Sequence, residues 1–213
     1  MKDIRIPVAK EGVPFIGTLV FWALIFAILG LKWEAALTGV LACFTLYFFR
    51  DPERVSPTGR DVVCSPADGR VIRIEEVTSG PNVDGPVMQI SIFMNIFNCH
   101  VNRSPIGGKV REISYRKGSF WPADHKKAFT KNEHNCLVIE DECGRLLEVV
   151  QVAGLIARRI VCWAEPGDQL RLGDRIGLIR FGSRVDVYLP KDANISVKVG
   201  QKVFAGETII ARW

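Results

Sequence analysis

Two long apolar runs near the start of the chain constrain its fold more than any other feature. No charged side chain occurs from Val13 to Leu31, and after Lys32-Trp33-Glu34 a second uncharged run extends from Ala35 to Phe49. A helix that spans a bilayer needs about 20 apolar residues. The first run has about that length, whereas the second, at ~1.5 Å per residue, covers roughly 22 Å of a hydrocarbon core about 30 Å thick. The pair therefore predicts a membrane-associated α-helical hairpin that spans the bilayer or dips into it.

A buried core hairpin and a signal peptide are the alternatives for this segment. A buried hairpin would carry polar residues along one face, and these runs have almost none. A signal peptide would be followed by a small-residue cleavage site, whereas a second apolar run follows here. Basic residues flank the hairpin on both sides, at Lys2, Arg5, Lys10, Arg50, Arg54 and Arg60. By the positive-inside rule, both flanks are predicted to lie on the cytoplasmic face of the cell membrane.

Cysteine usage and net charge argue against several classes of protein. The six cysteines form no Cys-x-x-Cys pair and show no spacing typical of zinc ligands, and scattered thiols are typical of a reducing compartment. The formal net charge of +5 comes without a concentrated basic patch or a nucleic-acid-binding motif. It therefore suits an anionic membrane surface better than a nucleic acid. We expect neither a bound metal nor a nucleic-acid partner.

The rest of the chain predicts a mainly β domain. Residues 1–50 form the basic segment and hairpin, 51–61 a linker with charges and two prolines, and 62–213 a β-rich catalytic domain. In that domain short β-rich runs alternate with Gly, Pro and Asp turns, a pattern typical of an antiparallel sandwich or barrel. The stretch 197–211 has the cadence of a lipoyl-like barrel but lacks the lysine that such carriers modify. The runs that predict strands are Gly69–Val77, Val87–Phe93, Lys109–Tyr115, Cys136–Glu140, Leu146–Val152, Ile176–Phe181, Val185–Leu189 and Thr208–Arg212.

The pair Gly182-Ser183 stands between two of these predicted strands. Glycine costs stability inside a strand, so its presence there indicates a close approach of the backbone. A serine hydroxyl held against the preceding carbonyl can attack it and move the acyl group from nitrogen to oxygen. Elimination from the resulting ester, followed by hydrolysis, leaves a pyruvoyl group at the start of the new chain. The alternative for the pair taken alone is a β-bulge or a hairpin turn.

Three histidines occur in the chain, His100, His125 and His134. His100 directly follows an apolar run, and Asp68 lies in the tight turn Ser65-Pro66-Ala67-Asp68-Gly69. An activated hydroxyl requires a base that takes its proton and an acid that orients this base. Ser183, His100 and Asp68 are candidates for these three roles, although a lone histidine is more often structural than catalytic.

At these residues the chain resembles the phosphatidylserine decarboxylase proenzymes, and their short bacterial and archaeal-type members most closely. Each matching motif is modestly specific, but their order and spacing along nearly the whole chain are highly specific. The motifs are Phe49-Arg50-Asp51-Pro52, Ser65-Pro66-Ala67-Asp68-Gly69, His100-Val101-Asn102-Arg103-Ser104-Pro105, Asn132-Glu133-His134-Asn135, the run from Ala153 to Ile160, and Phe181-Gly182-Ser183.

The resemblance implies a self-cleaving triad of Asp68, His100 and Ser183, with scission between Gly182 and Ser183. Chains 1–182 and 183–213 would stay together as a heterodimer, and Ser183 would become the pyruvoyl cofactor that forms an imine with the amine of phosphatidylserine in the membrane. Carbon dioxide and phosphatidylethanolamine would be the products, with no metal needed. Better-known members carry a second histidine where this chain has Phe97, so the proton donor for decarboxylation stays unassigned, with His125 and His134 as weak candidates.

Two rival functions fit parts of the sequence. A pyruvoyl-dependent decarboxylase for a soluble amino acid would not need the membrane-suited hairpin. A membrane-anchored carrier or binding domain with a lipoyl-like barrel would keep the Gly182-Ser183 bond intact. A denaturing gel separates this second rival from a proenzyme, because a carrier runs as one band and a processed proenzyme as two.

Overall fold

The computed structural model describes residues 7–121, 131–154, 159–180 and 182–213. The chain divides into two units, Met1–Glu53 and Arg54–Trp213. The described part of the first unit is helical, and that of the second is built mainly from antiparallel β-strands. The predicted fold class, a mainly β protein preceded by a helical hairpin, is confirmed.

The helical unit is a hairpin with little interior of its own. A 3-10 turn at Lys10–Gly12 leads into α1 (Val13–Ile28), and α2 (Lys32–Phe48) follows after a turn. Gly30 occupies this turn with φ +75°, a conformation that side chains disfavour. No residue of α1 is buried. In a water-soluble hairpin the apolar side chains would instead pack inward.

Contacts at the open end of the hairpin hold its entry and exit together. The Ala9 N–H donates to the Phe49 carbonyl at 2.8 Å, and the Asp51 N–H donates to the Pro7 carbonyl at 2.8 Å. The Phe15 and Phe49 rings stack with centroids 6.0 Å apart. Both flanks of the hairpin therefore lie at the same end of it. Among the described residues, one helical stretch, Lys10–Ile28, is long and apolar enough to cross a membrane.

The β unit forms three antiparallel sheets within the described ranges. The largest has eight strands in the order β13-β2-β3-β11-β7-β6-β5-β9, and the two smaller sheets have the orders β1-β14-β12 and β4-β10-β8. The strands are β1 (Val62–Cys64), β2 (Gly69–Val77), β3 (Val87–Met94), β4 (Val101–Arg103), β5 (Gly108–Arg116), β6 (His134–Glu140), β7 (Leu146–Val152), β8 (Ile160–Cys162), β9 (Gln169–Leu170), β10 (Arg175–Ile179), β11 (Ser183–Pro190), β12 (Asn194–Ile195), β13 (Lys202–Val203) and β14 (Ile209–Arg212).

Strand β11 lies inside the large sheet, between β3 and β7. Its side chains alternate between the two faces of this sheet. Val185, Val187 and Leu189 are fully buried in the main hydrophobic core. We call the face that carries them the core face. Because side chains alternate along a strand, Arg184 and Asp186 point to the opposite face, which we call the outer face. The Ser183 side chain also lies on the core face, because Ser183 is two residues before Val185 on the same strand.

Candidate active site

Ser183 is the first residue of β11 and is fully buried. Its backbone pairs with Met94 on β3, and its hydroxyl oxygen has no hydrogen-bond partner among the described residues. A buried polar group left without a partner costs about 1–3 kcal/mol. This placement is therefore unfavourable for stability.

The backbone before Ser183 changes sheets. Gly182 has φ +57°, in the left-handed region that favours glycine. Strand β10 pairs with β4 and β8, whereas β11 pairs with β3 and β7. A hairpin turn would join two strands that pair with each other, so that alternative is wrong. Gly182 lies at a crossing between two sheets, not in the interior of a strand, and Phe181 lies outside the described residues.

The crossing brings His100 close to this segment. Val101 on β4 pairs with Leu178 on β10, and the Ile179 N–H donates to the His100 carbonyl at 3.4 Å. The imidazole is fully buried, and its Nδ1 lies 3.0 Å from the Asn98 carbonyl oxygen. A carbonyl can only accept, so Nδ1 carries a proton and donates it in this contact. The Nε2 atom is then the basic nitrogen.

A short turn places the Asn98 carbonyl. The Asn95 N–H donates to Asn98 Oδ1 at 2.9 Å, the Phe97 N–H donates to Asn95 Oδ1 at 2.9 Å, and the Asn98 N–H donates to the Asn95 carbonyl at 3.1 Å. Such side-chain-to-backbone bonds are typical of asparagine turns. Phe97, where the sequence resemblance implies a second histidine, is 60% exposed.

Asp68 is buried in the turn before β2, at the same end of the large sheet as Ser183. The order β2-β3-β11 puts two strand spacings between them, roughly 10 Å. Its Oδ1 accepts the Ala205 N–H at 2.8 Å, and its Oδ2 accepts Arg54 at 2.9 Å. Arg54 also donates to Glu207 at 2.7 Å. Burial opposes the Arg54 charge, but the bond to Glu207 and the Asp68 charge raise the Arg54 pKa above its ordinary value.

The other two histidines have different positions. His134 begins β6 and pairs with Val152, which pairs with Arg184. It therefore lies on the outer face, away from the Ser183 side chain, with Nδ1 2.8 Å from the Asn132 carbonyl oxygen. His125 lies outside the described residues. Of the two histidines that the structure describes, His100 is the one that lies beside the crossing.

Two polar groups near Ser183 were missed by sequence reasoning. On the outer face, Arg184 and Asp186 form a buried ion pair, with Nε 2.8 Å from Oδ1. Asn135 and Gln151 on the core face and Asn102 on β4 of a smaller sheet are buried and linked by hydrogen bonds. The available signal was a polar side chain at a core position of an apolar strand, as at Gln151 in β7. Two cavities of about 300 and 500 Å³ lie elsewhere and include none of the candidate triad residues.

Comparison with known proteins identifies the family. The family model described as phosphatidylserine decarboxylase matches residues 41–211. The phosphatidylserine decarboxylase proenzyme of Desulfotalea psychrophila is 50% identical over 212 residues, covering 100% of this chain and 99% of the relative. The proenzyme of the same name from Nitratidesulfovibrio vulgaris is also 50% identical over 212 residues, covering 100% of this chain and 97% of its own length. The chain belongs to the phosphatidylserine decarboxylase family.

Proposed function

We propose that this chain is a precursor that cleaves itself between Gly182 and Ser183 and then decarboxylates phosphatidylserine to phosphatidylethanolamine in the membrane. The observation that carries the proposal is the Ser183 hydroxyl, buried without a hydrogen-bond partner in the described structure directly after a glycine with positive φ. The two relatives, both named as proenzymes, support it.

Self-cleavage begins at the Ser183 hydroxyl. Its oxygen attacks the Gly182 carbonyl carbon while His100 Nε2 takes the hydroxyl proton. The carbon–nitrogen bond then breaks, the nitrogen of Ser183 receives the proton, and an ester joins the Gly182 carbonyl to the Ser183 oxygen. Loss of the Ser183 α-proton expels the Gly182 carboxylate and leaves dehydroalanine. Its enamine tautomerises to an imine, and water releases ammonia from it to form the pyruvoyl group.

The residues around position 183 fit a pyruvoyl group formed there. Ser183 has a buried hydroxyl with no competing hydrogen bond among the described residues, and the neighbouring backbone is held by β3 and β7. When formed, the pyruvoyl ketone supplies an electron sink for the carbanion left as carbon dioxide departs. His100 holds a proton on Nδ1 against Asn98 and keeps Nε2 available as a base. Asp68 maintains the turn beside this site through Arg54 and Ala205.

The sheet explains why two chains would remain together after scission. Residues 183–213 contribute β11, β12, β13 and β14. Strand β11 pairs along its length with β3 and along Arg184–Tyr188 with β7, and β14 pairs with β1. Release of the small chain would break these ladders and expose the buried core, including Val185 and Val187. The product is thus a stable heterodimer.

The hairpin suits a substrate that stays in the bilayer. Its exposed apolar side chains include Phe21, Trp22 and Leu24 on α1 and Trp33 at the start of α2. Because entry and exit of the hairpin are held together, its basic flanks meet the same anionic membrane surface. We place this surface on the cytoplasmic face, since basic flanks favour that side.

A denaturing gel combined with intact mass measurement tests the proposal. Purified protein should appear as two chains of 182 and 31 residues, the small one blocked at its N-terminus by the pyruvoyl group, and Ser183→Ala should remain a single chain of 213 residues. Ser196→Ala, an exposed serine in the same small chain, is the matched control and should be processed normally. An intact wild-type chain that decarboxylates phosphatidylserine would refute the proposal, and an intact, inactive one would favour the carrier alternative.

A further inference from the structure

Three amide side chains form a buried chain of hydrogen bonds, which we call the amide chain. Asn135 on β6 donates through Nδ2 to Gln151 Oε1 on β7 at 3.0 Å, and Gln151 Nε2 donates to Asn102 Oδ1 on β4 at 2.9 Å. Asn102 and Gln151 are fully buried and Asn135 is 3% exposed. Burial of amides is costly unless each polar atom finds a partner, so their placement requires an explanation.

The amide chain crosses the core face beside Ser183. Asn135 pairs with Gln151, and Gln151 pairs with Val185 on β11. Val185 is two residues after Ser183. The side chains of Asn135, Gln151, Val185 and Ser183 therefore share the core face. The amide chain therefore lies against the sheet at the level of Val185, two residues along β11 from Ser183.

The hydrogen bonds of the amide chain point toward the serine. Because Asn102 Oδ1 accepts from Gln151, the Asn102 NH₂ group must point away from Gln151. It donates to the Met94 sulfur at 3.7 Å. Met94 is the residue paired with Ser183 across β3 and β11. A thioether is a weak acceptor, so the amide chain ends next to Ser183 in a donor without a strong partner.

The proposed self-cleavage creates an acceptor close to this donor. Attack of Ser183 on the Gly182 carbonyl converts the carbonyl oxygen to an oxyanion in a site closed to water. Preorganised donors stabilise such an oxyanion, and removal of one donor commonly costs about 10²- to 10³-fold in rate. Asn102 brings an uncharged donor that needs no proton transfer of its own.

We propose that Asn102 Nδ2 donates a hydrogen bond to the Gly182 oxyanion during self-cleavage, and that Gln151 and Asn135 are positioning residues that hold Asn102 in this orientation. This inference rests on the proposed self-cleavage. In the resting chain the same N–H group contacts Met94, and it transfers to the oxyanion when the charge develops.

The Asn102→Asp variant provides the main test, since it keeps the size of the side chain and replaces the donor by an acceptor. Self-cleavage, followed by gel from refolded or newly synthesised precursor, should slow by about 10²-fold at neutral pH. At lower pH the carboxyl group gains a proton and can donate again, so the rate of this variant should rise relative to wild type. Both proteins keep His100, so the ratio of the variant rate to the wild-type rate isolates the effect of residue 102. A side chain that acts only in packing would leave this ratio unchanged as the pH falls.

Hydroxylamine separates the two chemical stages, because it cleaves the ester and releases a small chain that begins with serine. It should not speed cleavage of Asn102→Asp, since the ester forms slowly in that variant. Full restoration of cleavage by hydroxylamine would place Asn102 after ester formation and overturn the proposal.

Two further variants make the test decisive. Ser91→Ala is the matched control: it removes a buried hydrogen bond to Gln89 on β3, but on the outer face, and should mature at the wild-type rate. Gln151→Met keeps the Asn102 donor but removes the hydrogen bond that orients it. Self-cleavage should slow by about 3- to 10-fold, as expected for loss of one hydrogen bond. Its dependence on pH should match that of wild type. If Asn102→Asp does not fold, a folded Gln151→Met protein that matures at the wild-type rate overturns the inference.

The failure of this inference differs from failure of the proposed function. A wild-type chain that cleaves, together with Asn102→Asp that cleaves at nearly the same rate, overturns only the role of Asn102. A wild-type chain that stays intact removes the self-cleavage itself.

Discussion

The two units of this protein depart from ordinary folding preferences in opposite ways. The helical unit exposes large apolar side chains, with Trp33 at 88%, Leu24 at 59% and Phe21 at 57% exposure. The β unit instead buries polar side chains fully, among them Ser183 and His100. Each exposed apolar side chain forgoes about 1.5–3 kcal/mol of burial, and the buried Ser183 hydroxyl, without a partner among the described residues, costs about 1–3 kcal/mol.

These opposite costs indicate what each unit contacts. The hydrocarbon of a bilayer stabilises exposed apolar side chains, whereas water does not. The buried Ser183 hydroxyl would gain its partner only as the proposed self-cleavage proceeds. Under the proposed function, the exposed apolar hairpin fits a substrate held in a bilayer, and the buried polar side chains fit the chemistry of self-cleavage. The predictions below test each half of this comparison.

The largest effect is expected for the base. His100→Ala removes the proposed base for the Ser183 hydroxyl, and self-cleavage should slow by about 10² to 10⁴-fold while the protein stays folded. A gel time course measures the fraction of uncleaved precursor. His134→Ala and His125→Ala are the controls and should be processed. Normal maturation of His100→Ala would show that the base lies elsewhere.

Asp68→Ala should also leave a folded but largely unprocessed precursor, at least about 10-fold slower than wild type, since it removes the acceptor for the Ala205 N–H and the Arg54 guanidinium. Asp68→Asn retains an acceptor for Ala205 but not the charge. If Asp68→Asn matures faster than Asp68→Ala, the acceptor matters; if both are equally slow, the charge does. Wild-type maturation of Asp68→Ala would remove this residue from the site.

Deletion of the hairpin tests the other half of the comparison. A protein that starts at Arg54, the first residue of the β unit, should be more soluble, should still cleave itself, and should bind anionic vesicles at least about 10-fold more weakly. Sedimentation with vesicles measures the binding. Activity on bilayer-embedded phosphatidylserine should fall more than activity on a short-chain analogue. Unchanged vesicle binding would assign the membrane contact to the β unit.

The smallest effect concerns Glu148, a fully buried carboxylate on the outer face, distant from the chemistry. Burial raises its pKa from an ordinary 4.5 to about 7, although the Asn82 N–H, which donates to Oε1 at 2.7 Å, opposes the shift. Between these two pH values the unfolded chain loses its proton first. The free energy of unfolding therefore falls as pH rises from about 4.5 to about 7 and stays lowered above that.

Glu148→Gln lacks this ionisation and should be more stable than wild type by about 1–3 kcal/mol at pH 8, with little difference at pH 4.5. Chemical denaturation in detergent on the uncleaved Ser183→Ala background measures both values. Glu142→Gln, which alters an exposed carboxylate nearby, should show no such pH dependence. A larger advantage for Glu148→Gln at low pH than at high pH would contradict the assignment.

The elements that local sequence could predict are the long ones. All eight predicted strand runs coincide with strands, and Gly69–Val77 and Leu146–Val152 have the predicted bounds. The hairpin is found as α1 and α2. The strands that were missed, such as β4 and β9, have two or three residues. Periodicity needs more residues than that, and such short strands form because neighbouring strands supply their hydrogen bonds.

The sequence by itself determined the apolar hairpin, the β-rich unit and the candidate residues Gly182, Ser183, His100 and Asp68, because residue type and order along the chain carry that information. Only the tertiary structure decided that Gly182 lies at a crossing between sheets and that Asn102 ends a chain of amides beside Ser183. These features depend on strand pairing and on backbone atoms that every residue possesses. Hydrogen bonds between residues distant in sequence are set by the packing of whole sheets, and no local pattern encodes them.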